Sequence, residues 1–94
     1  MIRSDLSALL AEGLSAAQAA GDIAKSPSVT FAVERREDDL ADYSSSEPMR
    51  LARVLGAAPR DIADAIVKHL PHSPSVRTAE VAGPGFINLW LKDE

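Results

Sequence analysis

Between residues 81 and 91 the chain reads Val81-Ala82-Gly83-Pro84-Gly85-Phe86-Ile87-Asn88-Leu89-Trp90-Leu91. Three of these side chains could act together. In a β-strand successive side chains point to opposite faces, so Ile87, Leu89 and Leu91 share one side while Phe86, Asn88 and Trp90 share the other. The first set suits a core. The second presents two flat rings on either side of an amide, and rings stack on unpaired bases while an amide can read a base edge. The competing reading is that a helix covers Phe86 and Trp90 and that Asn88 serves a turn, since most aromatic residues in strands are core. Alternation alone leaves both open.

Other groupings offer less. His69 and His72 stand three apart, but Pro71 breaks a helix between them and no carboxylate is near in sequence, so a helix end is expected rather than a metal pair. His69 would then sit favourably near a negative helix terminus. Glu37, Asp38, Asp39 and Asp42 could attract a hard cation, yet the glycine and closing glutamate of a calcium loop are missing, so a solvated run is expected. Gly83-Pro84-Gly85 is no phosphate loop, because no helix follows it and no Gly-Lys-Ser/Thr ending exists. No catalytic residue and no metal ligand is assigned.

The elements that must position the strand follow from periodicity. Ile2, Leu6, Leu9, Leu10, Leu14 and Ala17 predict an amphipathic first helix, capped by Ser4 or Asp5 and stopped by Gly21. After a connector with Ser26-Pro27-Ser28, Val29–Val33 is a strand candidate, and Glu34–Asp42 reads as a solvated loop. Tyr43–Pro48 reads as the lead-in to a second helix with a Met49, Ala52, Leu55 stripe, Arg50 and Arg53 off it, and Gly56 as its stop. Pro59 opens a third helix that buries Ile62, Ile66 and Leu70 with Ala63 and Val67, and Asp61 lies near its positive end. Val76–Ala82 then pairs with Phe86–Leu91 through the Gly-Pro-Gly turn as a hairpin. The expected fold is α+β, order α-β-α-α-β-β: a small antiparallel sheet of three to four strands packed against three helices, with residues 1–94 as one domain.

Composition bounds the partners. A chain of 94 residues is expected to bury about three-fifths of its unfolded surface, enough for one modest core. It has no cysteine, which rules out disulfides and cysteine-ligated zinc and fits a cytoplasmic protein. No apolar run approaches the roughly 20 residues that span a bilayer, and the N-terminus lacks a signal-peptide pattern. Net charge is −4, with four bases against eight acids in residues 1–42 and six of each in residues 43–94. Affinity for nucleic acid through phosphates alone requires excess Lys and Arg. Any contact with nucleic acid here must therefore be local, through shape and bases.

The order Asp42-Tyr43, then Met49-x-Leu51-Ala52-x-x-Leu55-Gly56-x-x-Pro59-Arg60-x-Ile62-Ala63, then Glu80-Val81-Ala82-Gly83-Pro84-Gly85-Phe86-Ile87-Asn88, closely resembles the N-terminal domain of arginyl-tRNA synthetases. The resemblance covers about residues 29–91, and the Ala-Gly-Pro-Gly-Phe-Ile-Asn run is its most distinctive part. It implies an auxiliary domain that holds the elbow of arginine tRNA at the D-loop, with that tRNA and the catalytic domain of the same chain as partners, and neither DNA nor a membrane. It implies that Phe86 and Asn88 contact an exposed D-loop base, supported by the turn Gly83, Pro84 and Gly85. It assigns no contact to Trp90. ATP, with magnesium, is implied for the parent enzyme and no cofactor for this domain.

The chain departs from the family pattern in places. Ala41 stands where the family usually has glycine, and Ser46 where it often has asparagine. A positive φ at position 41 would disfavour alanine. Glu37, Asp38, Asp39 and Asp42 would repel a nearby phosphate backbone, so either that loop points away from the tRNA or the domain binds it weakly. The His-Ile-Gly-His-type and Lys-Met-Ser-Lys-type ATP signatures are missing from these residues. The resemblance implies an excised domain of a longer ligase or, alternatively, a free-standing homologue. Two other functions stay compatible with the residues: a protein-interaction module anchored by Phe86 and Trp90, and a small hydrolase using the acidic loop and a histidine. Residues 1–94 alone are expected to show no arginine-dependent ATP–pyrophosphate exchange and no tRNA charging. Exchange activity that co-purifies with the chain would overturn the resemblance-based reading.

Overall fold

The computed structural model describes residues 2–24, 31–36 and 41–92. Their elements run α1 (Ile2–Ala19), β1 (Glu34–Arg35), β2 (Tyr43–Ser45), α2 (Glu47–Leu55), α3 (Pro59–Lys68), β3 (Val76–Ala82) and β4 (Phe86–Leu91). Every strand pairing is antiparallel, in the spatial order β1-β2-β4-β3. This is the expected α+β arrangement of three helices against a small sheet.

The first helix buries Leu6, Leu9, Leu10, Leu14 and Ala17, the three- and four-residue stripe that its sequence predicts. It begins at Ile2, so Ser4 and Asp5 lie inside its first turns rather than capping it. Its end is a Schellman motif: Gly21 donates to the Gln18 carbonyl and Asp22 to that of Ala17, with Gly21 at φ 84°. Gly13 is buried where α1 meets α3; a Cβ there would stand 2.9 Å from the Ile66 carbonyl oxygen. Nothing larger than hydrogen fits without moving a helix.

The Pro-led helices form as expected. Pro48 and Pro59 occupy first-turn positions that need no N–H donor, and Gly56 ends α2 at φ 66°. Ser46, at the cap position of α2, makes no capping bond; the Ser45 hydroxyl instead accepts the Glu47 N–H at 3.4 Å. The buried edge of α2 is Pro48 and Leu51, with Met49, Ala52 and Leu55 half-buried beside it. In α3, Ile62, Ala63, Ala65 and Ile66 are buried. Together with Leu6, Leu10, Leu14, Phe31, Leu51, Ile87 and Leu89 they make one continuous cluster.

Three expectations need correction. Residues 31–33 are not a strand: Phe31 and Val33 are buried and Ala32 exposed, but the Phe31 carbonyl accepts the Ser7 hydroxyl of α1 at 2.7 Å. Alternation reports only which side chains are buried, and here a helix side chain, not a strand, meets the backbone. Val29 and Thr30 lie outside the described residues, as do Ser26-Pro27-Ser28. Sheet pairing starts instead at Glu34, within the stretch read as a loop, and continues at Tyr43–Ser45, read as a helix lead-in. Ser44 and Ser45 are buried there. Serine carries little strand propensity, and it is strand pairing on both sides that holds β2 in place.

His69 is more than a free helix end. Its Nε2 lies 2.7 Å from Asp22 Oδ2, with Lys68 Nζ at 3.6 Å from the same oxygen, so a carboxylate from the end of α1 ties down the end of α3. His72 is exposed. The His69 hydrogen bond first, then the Lys68 charge, holds the Asp22 carboxyl below its ordinary value of 3.8.

Ile66 and Leu89 have no accessible surface and belong to the same cluster. Ile66→Ala and Leu89→Ala should each cost about 2–5 kcal/mol in urea unfolding, as large-to-small core changes do; losses under about 0.5 kcal/mol in both would show that the faces are reversed. A carboxyl whose pKa is lowered in the folded state adds stability that is present above its unfolded pKa and lost as pH falls through the folded one. Asp22→Asn should therefore lower Tm slightly at neutral pH, the site being exposed and screened. That difference should vanish in melts run at a pH below the lowered Asp22 value. An equal difference at every pH would remove the charge from the explanation.

Candidate nucleic-acid interface

Strand β4 runs between β2 and β3, so its two faces are set by pairing on both edges. Ile87 and Leu89 turn to the helices with no exposed surface, and Leu91 packs half-buried at the same side. Phe86, Asn88 and Trp90 point the other way. On that face Asn88 is level with Ser44 of β2 and Glu80 of β3, and Glu34 of β1 follows Ser44 in the same row. Thr78 lies beside Trp90, and Ala82 beside Phe86.

Neither ring is fully exposed. Phe86 and Trp90 are half-buried, yet neither belongs to the core cluster. Asn88, between them, is only 7% exposed. Its Oδ1 is buried and accepts no hydrogen bond. An orphaned buried acceptor costs roughly 1–3 kcal/mol relative to a paired one, and such groups are few in folded proteins. An incoming N–H would remove that cost.

The turn that delivers Phe86 to this place is held from two helices. Gly83 adopts φ 56°, a conformation that side chains resist. Gly85 meets α3 so closely that a Cβ on it would lie 2.7 Å from the Pro59 Cβ and 3.3 Å from the Met49 Cγ. Arg60, the next residue of α3, donates from Nη1 to the Gly83 carbonyl at 2.8 Å. In the sequence the Pro59-Arg60 pair reads as a helix start and as part of the family pattern. Its second role, fixing the turn, needed the tertiary contact to be seen.

The family departures are also placed. Ala41 is buried, and no non-glycine residue among those described has a positive φ, so alanine is not strained there. Asp42 is tied to the far end of β4: its Oδ2 accepts the Leu91 N–H at 2.7 Å, and its own N–H donates to the Leu89 carbonyl at 3.0 Å. Five residues of strand, about 16 Å at the usual rise, separate Leu91 from Phe86. Glu37, Asp38 and Asp39 lie outside the described residues. Ser46 is exposed and lines a depression of about 270 Å³ with Met49, Arg50 and Arg53. Among the described residues no three His, Cys, Asp or Glu side chains converge where a metal ion could sit, and no helix is long and apolar enough to cross a membrane.

Comparison with known proteins adds to this geometry. The family model described as arginyl tRNA synthetase N terminal domain matches residues 4–91. The arginine–tRNA ligase of Hyphomonas neptunium is 44% identical over 86 residues, covering 89% of this chain and 15% of that one. That of Thioalkalivibrio sulfidiphilus is 35% identical over 94 residues, or 99% of this chain and 16% of the relative. The chain thus spans about one-sixth of the length of these curated relatives. Thermus thermophilus arginyl-tRNA synthetase aligns with a TM-score of 0.76 at 28% identity, over 98% of this chain and 14% of that one. The Plasmodium falciparum arginyl-tRNA synthetase gives 0.77 at 11% identity, over 97% and 16%, a likeness of fold. A sequence pattern matched along nearly the whole chain, on a fold shared with solved synthetases, places this chain in the arginyl-tRNA synthetase N-terminal domain family.

Proposed function

We propose that residues 1–94 are a single domain that holds the elbow of arginine tRNA for an arginine–tRNA ligase, with Phe86 stacking on an exposed D-loop base and Asn88 reading its edge. The observation that carries this is the buried, unpartnered Oδ1 of Asn88 between two half-buried rings on the face turned away from the core. A planar ligand with an N–H on its edge suits it: the ring supplies a stacking surface and the amide an acceptor.

In this reading ATP and magnesium belong to a catalytic domain elsewhere in the ligase, and this domain contributes only RNA contacts. Aminoacylation is then a property of the whole enzyme, working in the cytoplasm. A protein-docking role for Phe86 and Trp90 is less well supported, because both rings are sheltered. The large apolar side chain that stands exposed among the described residues is Val54, at 64%, on α2.

Stacking contributes roughly 1–3 kcal/mol per base by alanine substitution, and about 1.4 kcal/mol is one decade. Phe86→Ala should weaken binding of arginine tRNA, and its charging by a ligase carrying this domain, about tenfold or more. Asn88→Ala should blur the preference between native tRNA and tRNA altered at the exposed D-loop base. In thermal melts neither variant should fall well below wild type, Asn88→Ala also losing the unpaired buried acceptor, which separates a site effect from a core effect. Full discrimination by both variants would make Phe86 and Asn88 structural residues only.

A further inference from the structure

The depression beside the Gly-Pro-Gly turn carries two arginines in an otherwise acidic protein. Arg50 and Arg53 are three residues apart on α2, so they share one face of the helix, and both are exposed. With Ser46 and Met49 they line a space of about 270 Å³. Met49 is also the side chain against Gly85, its Cγ 3.3 Å from where a Cβ would stand. The depression is therefore one side chain away from the residue that precedes Phe86.

The charges of this depression are arranged unevenly. Glu47, in the first turn of α2, is 6% exposed and places Oε1 3.4 Å from Arg50 Nη1, while its Oε2 is buried without a partner. The carboxylate is thus turned inward, and Arg50 is anchored by it with most of its surface still in solvent. Arg53 makes no ion pair or hydrogen bond among the described residues. The Ser46 hydroxyl is left over from capping. A guanidinium pair with a hydroxyl beside it, and the Glu47 carboxylate buried under Arg50, fits a tetrahedral anion, which Arg can hold bidentately.

The geometry points to a phosphodiester site on α2, in which Arg50 and Arg53, with the Ser46 hydroxyl, hold the backbone of the same RNA strand whose base is taken up at Phe86 and Asn88. This rests on the reading of Phe86 and Asn88 given above and adds a part with a different job. Phosphate contacts position a strand without reading its sequence, whereas base contacts specify it. A chain of net charge −4 cannot attract RNA by its overall field, so the pair of cations on α2, linked to the turn through Met49 and Gly85, supplies the electrostatic share of affinity.

The test is titration of labelled arginine-tRNA transcript with the purified chain at salt concentrations from roughly 50 to 200 mM. It compares wild type with Arg53→Gln, Arg53→Lys and Phe86→Ala, each on native transcript and on transcript altered at the exposed D-loop base. Arg53→Gln should weaken both transcripts equally, by roughly three- to tenfold near 0.1 M salt, and flatten the log K against log salt slope by about 0.7. Arg53→Lys should keep the slope. Phe86→Ala should lose discrimination and keep the slope. Arg50→Gln also strips the buried Glu47 of its partner and costs stability, so Arg53, with no partner among the described residues, carries the comparison. Wild-type affinity and slope in Arg53→Gln, with the fold intact by circular dichroism, would overturn the phosphate site whatever Phe86 does. A flattened slope with unchanged behaviour of Phe86→Ala would uphold it while removing the base-stacking role.

Discussion

Everything at the candidate interface depends on the position of β4 between two partner strands, with Ile87 and Leu89 sealed in the helical core. Because side chains alternate strictly along a strand, burying those two commits Phe86, Asn88 and Trp90 to the opposite face. A slip of one residue would send Asn88 into the core and a leucine into solvent, so the register is strongly specified. Pairing along both edges resists such a slip. So does the turn, wedged at Gly85 against Pro59 and bonded at Gly83 to Arg60. The helices therefore do two things: they cover the apolar face, and they set where the outward face begins.

The same arrangement accepts a local cost. Asn88 Oδ1 and Glu47 Oε2 are buried acceptors without donors, one on β4 and the other in the first turn of α2. In a core assembled from one cluster of aliphatic residues and Phe31, each such group is a sizeable fraction of a marginal stability. Polar groups left unsatisfied in an otherwise well-paired structure collect where a ligand is expected to complete them. Both of these lie close to the Gly-Pro-Gly turn in sheet register: Glu47 is two residues past Ser45, which is level with Ile87, and Asn88 is the next residue of β4.

Charge is handled locally as well. The chain is acidic overall, yet Asp42 is spent on the Leu91 N–H at the end of β4 away from the turn, and Glu47 is folded inward beneath Arg50. Arg60 is drawn to the Gly83 carbonyl, and Arg53 remains outward. Net charge thus says little about the potential at this end of the sheet. The potential there depends on placement rather than sum, and it includes the exposed carboxylates of Glu80, level with Asn88, and of Glu34 in the same row.

Much of the architecture was legible in the residues because the signals are local. The leucine stripe of α1, the Pro-led starts of α2 and α3, the glycine stops and the β3–β4 hairpin each follow from spacing or backbone restriction within a few residues. So did the split of β4 into an aliphatic face and an aromatic-amide face. Tertiary structure decided what depends on partners far along the chain. It made a strand of Tyr43–Ser45, whose serines carry no strand signal, by offering β4 as an edge, and it left Phe31–Val33 outside the sheet, with the Phe31 carbonyl accepting the Ser7 hydroxyl. It brought Asp22 to His69 across 47 residues. It also left the Asn88 oxygen buried and unpaired. Periodicity reports which way a side chain points, whereas satisfaction of a polar atom depends on what the rest of the fold brings within about 3 Å of it.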